Sequence, residues 1–451
     1  MTLVFFLLCF AVLFAAAFRP AALVYAVFLL GPLPMGGFLR NPSIATPVGM
    51  LHINALLVLA ILVASVVGIL IGQRQVMRQV RASSLFFVFL TFSIASTAWS
   101  PDLSMALRML LKFVTPVVFM IFVAANIERI GTKTIIQAVL ASGFFYALAT
   151  VVSWGLGLAP YHEFALPATS RAVSSGHLLA PLSVALASMA IRPGILWTLT
   201  ALVFSGTILA GFTRITIAGI FVSASTVWFL KVKGVAKFTV PVIAGLGLIA
   251  LFTLVGMFRE RMFLEKADRM SFKSVIDDPG TAIASIGGSG RYSAWDSALT
   301  TLFSPHPLVG SGVGSTQRFF YDPSGLGVSA VHSEVVRLLC DLGIVGLVLF
   351  VLAWGQVIWA MNNRHRLALT REASTIATAA LATSAAYLAF LLTDNGFDYV
   401  AQIGVFAYGL VGATLGLRAT RSPKAKAATA SEAPREPPVE WKQPNLGAWK
   451  R

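Results

Sequence analysis

Apolar residues do not alternate with polar ones along this chain; they run together in blocks close to the thickness of a bilayer. The blocks fall at roughly 2–18, 21–37, 52–72, 84–99, 107–125, 133–155, 177–192, 195–213, 215–230, 237–257, 335–361, 374–393 and 401–418. Runs of this length and character predict membrane-crossing helices. The expectation is an all-α, polytopic bundle of about 12–13 transmembrane helices. Twelve and thirteen both fit, because the first two runs are parted only by Arg19-Pro20. Runs 195–213 and 215–230 meet at Thr213-Arg214 with no room for a loop, so one of them is expected to be tilted or broken. The run at 2–18 lacks a basic leader and more spans follow, so it reads as a retained helix.

The gaps between runs divide the chain. Residues 1–257 read as an N-terminal transmembrane bundle and 258–334 as a mostly helical extramembrane insert. Residues 335–418 hold the last three spans, and 419–451, rich in Ala, Pro, Lys and Glu, read as a disordered cytoplasmic tail. Within the insert, Tyr292, Trp295, Leu299 and Phe303 recur at helical spacing and predict a short amphipathic helix.

Composition agrees. Only 12% of residues are charged against 57% hydrophobic. A soluble chain carries about a quarter charged residues. The net charge of +16 is spread over short loops and the tail, which marks topology and argues against nucleic acid. The basic loops 73–81, 231–237 and 362–371, and the tail, share one side by span parity and are expected to be cytoplasmic. The stretches 38–51, 100–106, 156–176 and the insert then face outward. Cys9 and Cys340 lie far apart in apolar runs, so neither a disulfide nor a metal cluster is expected.

Chemistry concentrates where the insert re-enters the bilayer. His332 stands at the polar start of the run from Val335, and an imidazole at such a boundary can act as a base near neutral pH. Arg214 is a charge at the outward end of a membrane run, where the charge rule disfavours it and a function would explain it. Arg291 opens the amphipathic helix of the insert. Arg108 and Lys112 share a helix face near the outer surface, with Ser100 or Asp102 capping that helix. Arg108 and Arg171 of the 156–176 loop are secondary candidates for phosphate contact. Arg337 and Asp341, four apart, are expected to pair. Gly310, Gly312 and Gly314 follow no strand, so they read as a turn that re-aims the chain and not as a nucleotide loop. Gly343 and Gly346 are expected to let helices approach closely.

The order of these residues resembles a known family. His332-Ser333, nine residues, Gly343, two residues, Gly346 is similar to the signature of the bacterial O-antigen ligase and polysaccharide polymerase superfamily. So is Arg291…Trp295…Pro307-Leu308-x-Gly310-x-Gly312, and so is Trp99-Ser100-Pro101-Asp102 before a helix. Thr213-Arg214 departs mildly from a Ser-Arg that family members often carry, keeping hydroxyl and guanidinium. The resemblance covers about residues 80–420. It implies an inner-membrane glycosyltransferase with its site facing the periplasm. The implied donor is an undecaprenyl-diphosphate-linked glycan, and the acceptor a lipid A–core oligosaccharide or a nascent polysaccharide, among membrane lipids. His332 would be the catalytic base, with Arg214 and Arg291 on the diphosphate. Two guanidiniums make a metal unnecessary, and no cofactor is implied. Ligase, polymerase and protein oligosaccharyltransferase share the signature; the ligase form is the nearer match. A non-enzymatic transporter of polysaccharide or lipid carrier is the remaining alternative.

Overall fold

Each of the thirteen apolar runs holds a helix among the described residues of the computed structural model. It describes residues 2–32, 43–46, 49–72, 81–155, 176–211, 213–256, 291–321 and 331–417, with Lys273, Asp277 and Asp278 as isolated positions. The 156–175 loop with Arg171, most of the insert before Arg291, and the expected tail lie outside the described residues.

The helices are α1 Thr2–Ala17, α2 Pro20–Leu30, α3 Ile53–Gly72, α4 Ser84–Ala95, α5 Leu103–Ile130, α6 Thr132–Gly155, α7 Leu179–Ile191, α8 Ile195–Ala210, α9 Arg214–Lys231, α10 Thr239–Leu254, α11 Arg291–Ala298, α12 Ser315–Tyr321, α13 Glu334–Arg366, α14 Arg371–Thr393 and α15 Val405–Gly416. One departure from all-α lies in the 38–51 stretch. There β1 Ser43–Thr46 and β2 Gly49–His52 pair antiparallel, Ser43 opposite His52 and Thr46 opposite Gly49.

Among the described residues, six helices are long and apolar enough to cross a membrane. Seven other apolar helical stretches of 10–17 described residues join them. Arg19-Pro20 separates α1 from α2, with the proline in the first turn of α2, where its missing N–H costs nothing. The runs that met at Thr213-Arg214 are two separate helices, α8 and α9, joined by a corner at 211–213.

The core sits around α5, α14 and α15. Helix α5 packs most extensively against α15, and α9 and α7 both pack on α14. Small residues make this possible: a Cβ on Gly412 would lie 2.3 Å from the Met120 carbonyl oxygen, so α15 and α5 touch backbone to backbone there. Aromatic rings fill the wider gaps, with Phe28 stacked on Phe406 at 4.6 Å between centroids and Phe113 edge-on to Phe397 at 5.0 Å. By contrast α10 is largely exposed, which in a membrane leaves it facing lipid.

The described part of the insert folds onto the start of α13. Ala294, Ala298, Phe320, Val331, Val336 and Cys340 form one small apolar cluster. The expected amphipathic helix is present as α11, and it continues into a π-helical turn at Leu299–Phe303.

Candidate functional site

The site is built around a break in α13. Gly343 has φ 67° and ψ −168° inside an otherwise continuous helix. The break frees backbone groups that the helix would have paired, and the 307–312 loop takes them. Ser311 N–H donates to Cys340 O at 2.8 Å and Gly312 N–H to Asp341 O at 2.9 Å. In return, Ile344 N–H donates to Pro307 O at 2.9 Å and Val345 N–H to Leu308 O at 3.1 Å. Such closeness leaves no room for side chains. A Cβ on Gly310 would lie 2.5 Å from the Asp341 carbonyl carbon, and one on Gly343 2.3 Å from Leu308 O. Both residues also have positive φ, which glycine alone adopts freely.

This corrects the expected role of the glycine pair. Gly343 lets a loop dock into a helix instead of letting two helices meet. A Cβ on Gly346 would strike Leu342 of its own helix at 2.1 Å.

The expected Arg337–Asp341 pair is also replaced. Asp341 turns toward the docked loop and accepts from Gly314 N–H at 2.9 Å, Thr316 N–H at 2.7 Å and the Ser315 hydroxyl at 2.9 Å. Arg337 turns the other way. Its Nη2 lies 2.8 Å from Asp398 Oδ2 and its Nε 3.1 Å from Glu334 Oε2. Asp398 also binds the Lys112 ammonium, which reaches Gln317 Oε1 at 3.4 Å. The four charges sum to zero and tie α5, α13 and the α14–α15 turn together. Glu334 and Arg337 are almost wholly buried, at 1% and 3% exposure, which is tolerable only because each is paired. Burial would raise the Asp398 carboxyl, but Arg337 and Lys112 outweigh it and hold the group well below the usual carboxylate range. Lys112 is thus engaged inside the protein. Arg108 lies one turn before it, partly buried at the start of α5, whose first turn Asp102 caps by accepting from Met105 N–H at 3.1 Å.

His332 sits directly above this network. It is the one non-glycine residue with positive φ, 50°, among those described. Ser333 accepts from Val336 N–H at 3.4 Å and caps α13, so the chain must turn sharply at His332 to enter the helix. The turn is held from outside: His332 N–H donates to Asn395 Oδ1 at 2.8 Å. The ring faces the same turn, with Nδ1 3.6 Å from Asp394 Oδ1 and 3.2 Å from Asn395 Nδ2. Trp295 of α11 donates its indole N–H to the carbonyl of Val331, the residue before His332.

Arg291 comes to this place. Arg291 Nη1 donates to Thr393 O at 2.8 Å, one residue before Asp394. Arg214, partly buried at the start of α9, lies within electrostatic reach of Arg291 and of the Tyr292 phenol. His332 and Arg291, from separate parts of the sequence, therefore meet at the end of α14, with Arg214 within electrostatic reach of Arg291.

Asp394, Asn395 and Asp398 are not among the candidates read from the sequence. The signal was present. Thr393-Asp394-Asn395-Gly396-Phe397-Asp398 is a polar hexad between two apolar runs, on the His332 side by span parity.

The fold and its apolar helices are those of a multi-pass membrane protein. A family model described as O-antigen ligase matches residues 199–351. That stretch runs from α8 into α13 and contains Arg214, Arg291, His332 and the broken helix, so this part of the chain is an O-antigen ligase-type domain. No curated protein matches the chain.

Proposed function

We propose that this protein is an inverting membrane glycosyltransferase of the O-antigen ligase type. Its donor is a glycan on undecaprenyl diphosphate, and its acceptor a sugar hydroxyl of lipid A–core on the periplasmic face of the inner membrane. The observation that carries the reading is the meeting of His332 and Arg291 at the end of α14, with Arg214 within electrostatic reach of Arg291, in a chain whose residues 199–351 match the O-antigen ligase model.

The chemistry balances with the groups at hand. The acceptor hydroxyl oxygen attacks the anomeric carbon, and the bond from that carbon to the diphosphate oxygen breaks. The diphosphate departs with the electron pair and one more negative charge. The hydroxyl proton passes to Nε2 of His332, and Asp394 beside Nδ1 stabilises the imidazolium that forms. Arg214 and Arg291 act on the charge that builds on the leaving group. One displacement inverts the anomeric centre. Helix α11 flanks the site through Arg291 and Trp295.

The acceptor separates ligase from polymerase. In a strain lacking the protein, the ligase reading expects long carrier-linked chains beside bare lipid A–core, since polymerisation continues without an outlet. Core capped by single repeats, or carrier-linked single repeats with loss of a secreted polysaccharide, would make it a polymerase with the same site. A purified protein that turns over no carrier-linked glycan would favour a transporter.

A further inference from the structure

The turn after α14 makes two opposed demands on one ring nitrogen. Asp394 Oδ1 and Asn395 Nδ2 both face Nδ1 of His332, at 3.6 and 3.2 Å. The carboxylate calls for a proton on Nδ1. The amide N–H calls for a lone pair there.

Which demand holds at rest follows from how the amide is oriented. The two ends of an asparagine side chain are told apart by their hydrogen-bond partners. Asn395 Oδ1 receives the His332 backbone N–H at 2.8 Å and Arg337 Nη2 at 3.4 Å. Both are donors that cannot become acceptors. Turning the amide over would set its NH2 against two donors, so Nδ2 is the end that meets the ring. The amide is further secured by its own backbone, since Asn395 N–H donates to Asp394 Oδ1 at 2.8 Å.

We propose that Asn395 is a positioning residue that sets the tautomer of His332. With Nδ1 accepting from Asn395, the neutral ring carries its proton on Nε2, which is the idle form for a base that works through Nε2. Taking a proton at Nε2 requires Nδ1 to hold one as well. Nδ1 must then leave the Asn395 amide and bind Asp394. The exchange moves one proton between ring nitrogens and leaves every other bond unchanged. Asn395 thereby favours the neutral Nε2–H ring and Asp394 the ring with a proton on Nδ1. The other charged groups on packed elements are Glu334 and Arg337 of α13, Lys112 of α5, Arg291 of α11 and Asp398 of the turn. The first two, with Lys112 and Asp398, are paired with one another, and Arg291 binds the Thr393 carbonyl. Through Arg337 the same amide couples the ring to the buried charge network.

The inference rests on the reading of His332 as the base, but its test does not need activity. Ring 15N shifts of histidine-labelled protein in lipid, assigned by difference against His332→Gln, report the tautomer directly. The expected result is an Nε2–H ring at neutral pH in the native protein. Asn395→Asp keeps an oxygen for the His332 N–H and Arg337 and presents a second oxygen to Nδ1, so the ring should change to Nδ1–H or imidazolium. The acid limb of the pH–rate profile should rise by about one unit with it. A native ring carrying its proton on Nδ1 would overturn the proposal, as would an Asn395→Asp protein whose ring and limb match the native ones. If Asn395→Asp does not fold, the native spectrum alone decides. Full activity in His332→Ala would instead overturn the base assignment and leave the tautomer result standing.

Discussion

Asp394 Oδ1 lies 3.6 Å from Nδ1 of His332, although the two residues belong to different helix ends and are separated by two membrane runs. Asp394 ends α14 as its C-cap, and its side chain is almost wholly buried. A buried carboxylate beside an imidazole stabilises the charged ring. Asp394→Asn should therefore lower kcat by about 10²-fold with little change in KM, because the carboxylate acts when the proton moves. Steady-state kinetics of transfer check this. A rise in KM alone would place Asp394 in substrate binding.

Arg214 and Arg291 come from α9 and α11 and share one neighbourhood. Alanine at either should cost about 10²–10³-fold in kcat/KM. Lysine should recover little, since an ammonium lacks the planar fork that binds two oxygens of a diphosphate. Rates for the four single variants with one carrier-linked donor decide the matter. Full recovery by lysine at both positions would reduce their role to bulk charge.

Arg337, Asp398, Lys112 and Glu334 form a closed charge network beneath the site. Asp398→Asn leaves two cations with one carboxylate and should destabilise the protein by about 3–5 kcal/mol. The pH dependence has a definite sign. The Asp398 carboxyl titrates below its ordinary range in the folded protein. Its contribution is therefore complete above the unfolded value of about 3.9, and is lost only as pH falls through the lower folded value. The gap in thermal midpoint between native and Asp398→Asn protein should be the same at pH 7 and pH 5. A gap that closes by pH 5 would show the carboxyl taking up its proton there.

Gly343 and Gly355 lie on the same helix and should respond oppositely. A Cβ at Gly343 meets Leu308 O at 2.3 Å and a positive φ, whereas a Cβ at Gly355 meets nothing within 4 Å. Gly343→Ala should lose folded protein or activity by displacing the docked loop. Gly355→Ala should be neutral or stabilising by up to about 1 kcal/mol. Detergent-solubilised yield and thermal midpoint compare the two.

Much of this was legible in the sequence, and the reason is physical. A bilayer imposes run length, so each apolar run holds a helix among the described residues. His332, Arg214 and Arg291 stood out because charge is expensive at a membrane boundary. What the sequence did not disclose was pairing. Arg337 and Asp341 sit at helical spacing, yet Gly343 breaks the helix just beyond them, and the docked loop offers Asp341 backbone donors that Arg337 cannot outbid. Asp394 and Asn395 were missed because a short polar turn between spans resembles any other turn until its neighbours are known.

The central claim is that His332 takes the acceptor proton. Its most direct test is transfer of a carrier-linked glycan by purified protein in lipid, native against His332→Ala, with and without chelator. The account predicts that His332→Ala folds, still binds the donor, and loses nearly all transfer, while native activity survives the chelator. Near-native transfer by His332→Ala would contradict the base assignment, and strict loss of native activity on metal removal would contradict catalysis by the two arginines and the histidine alone.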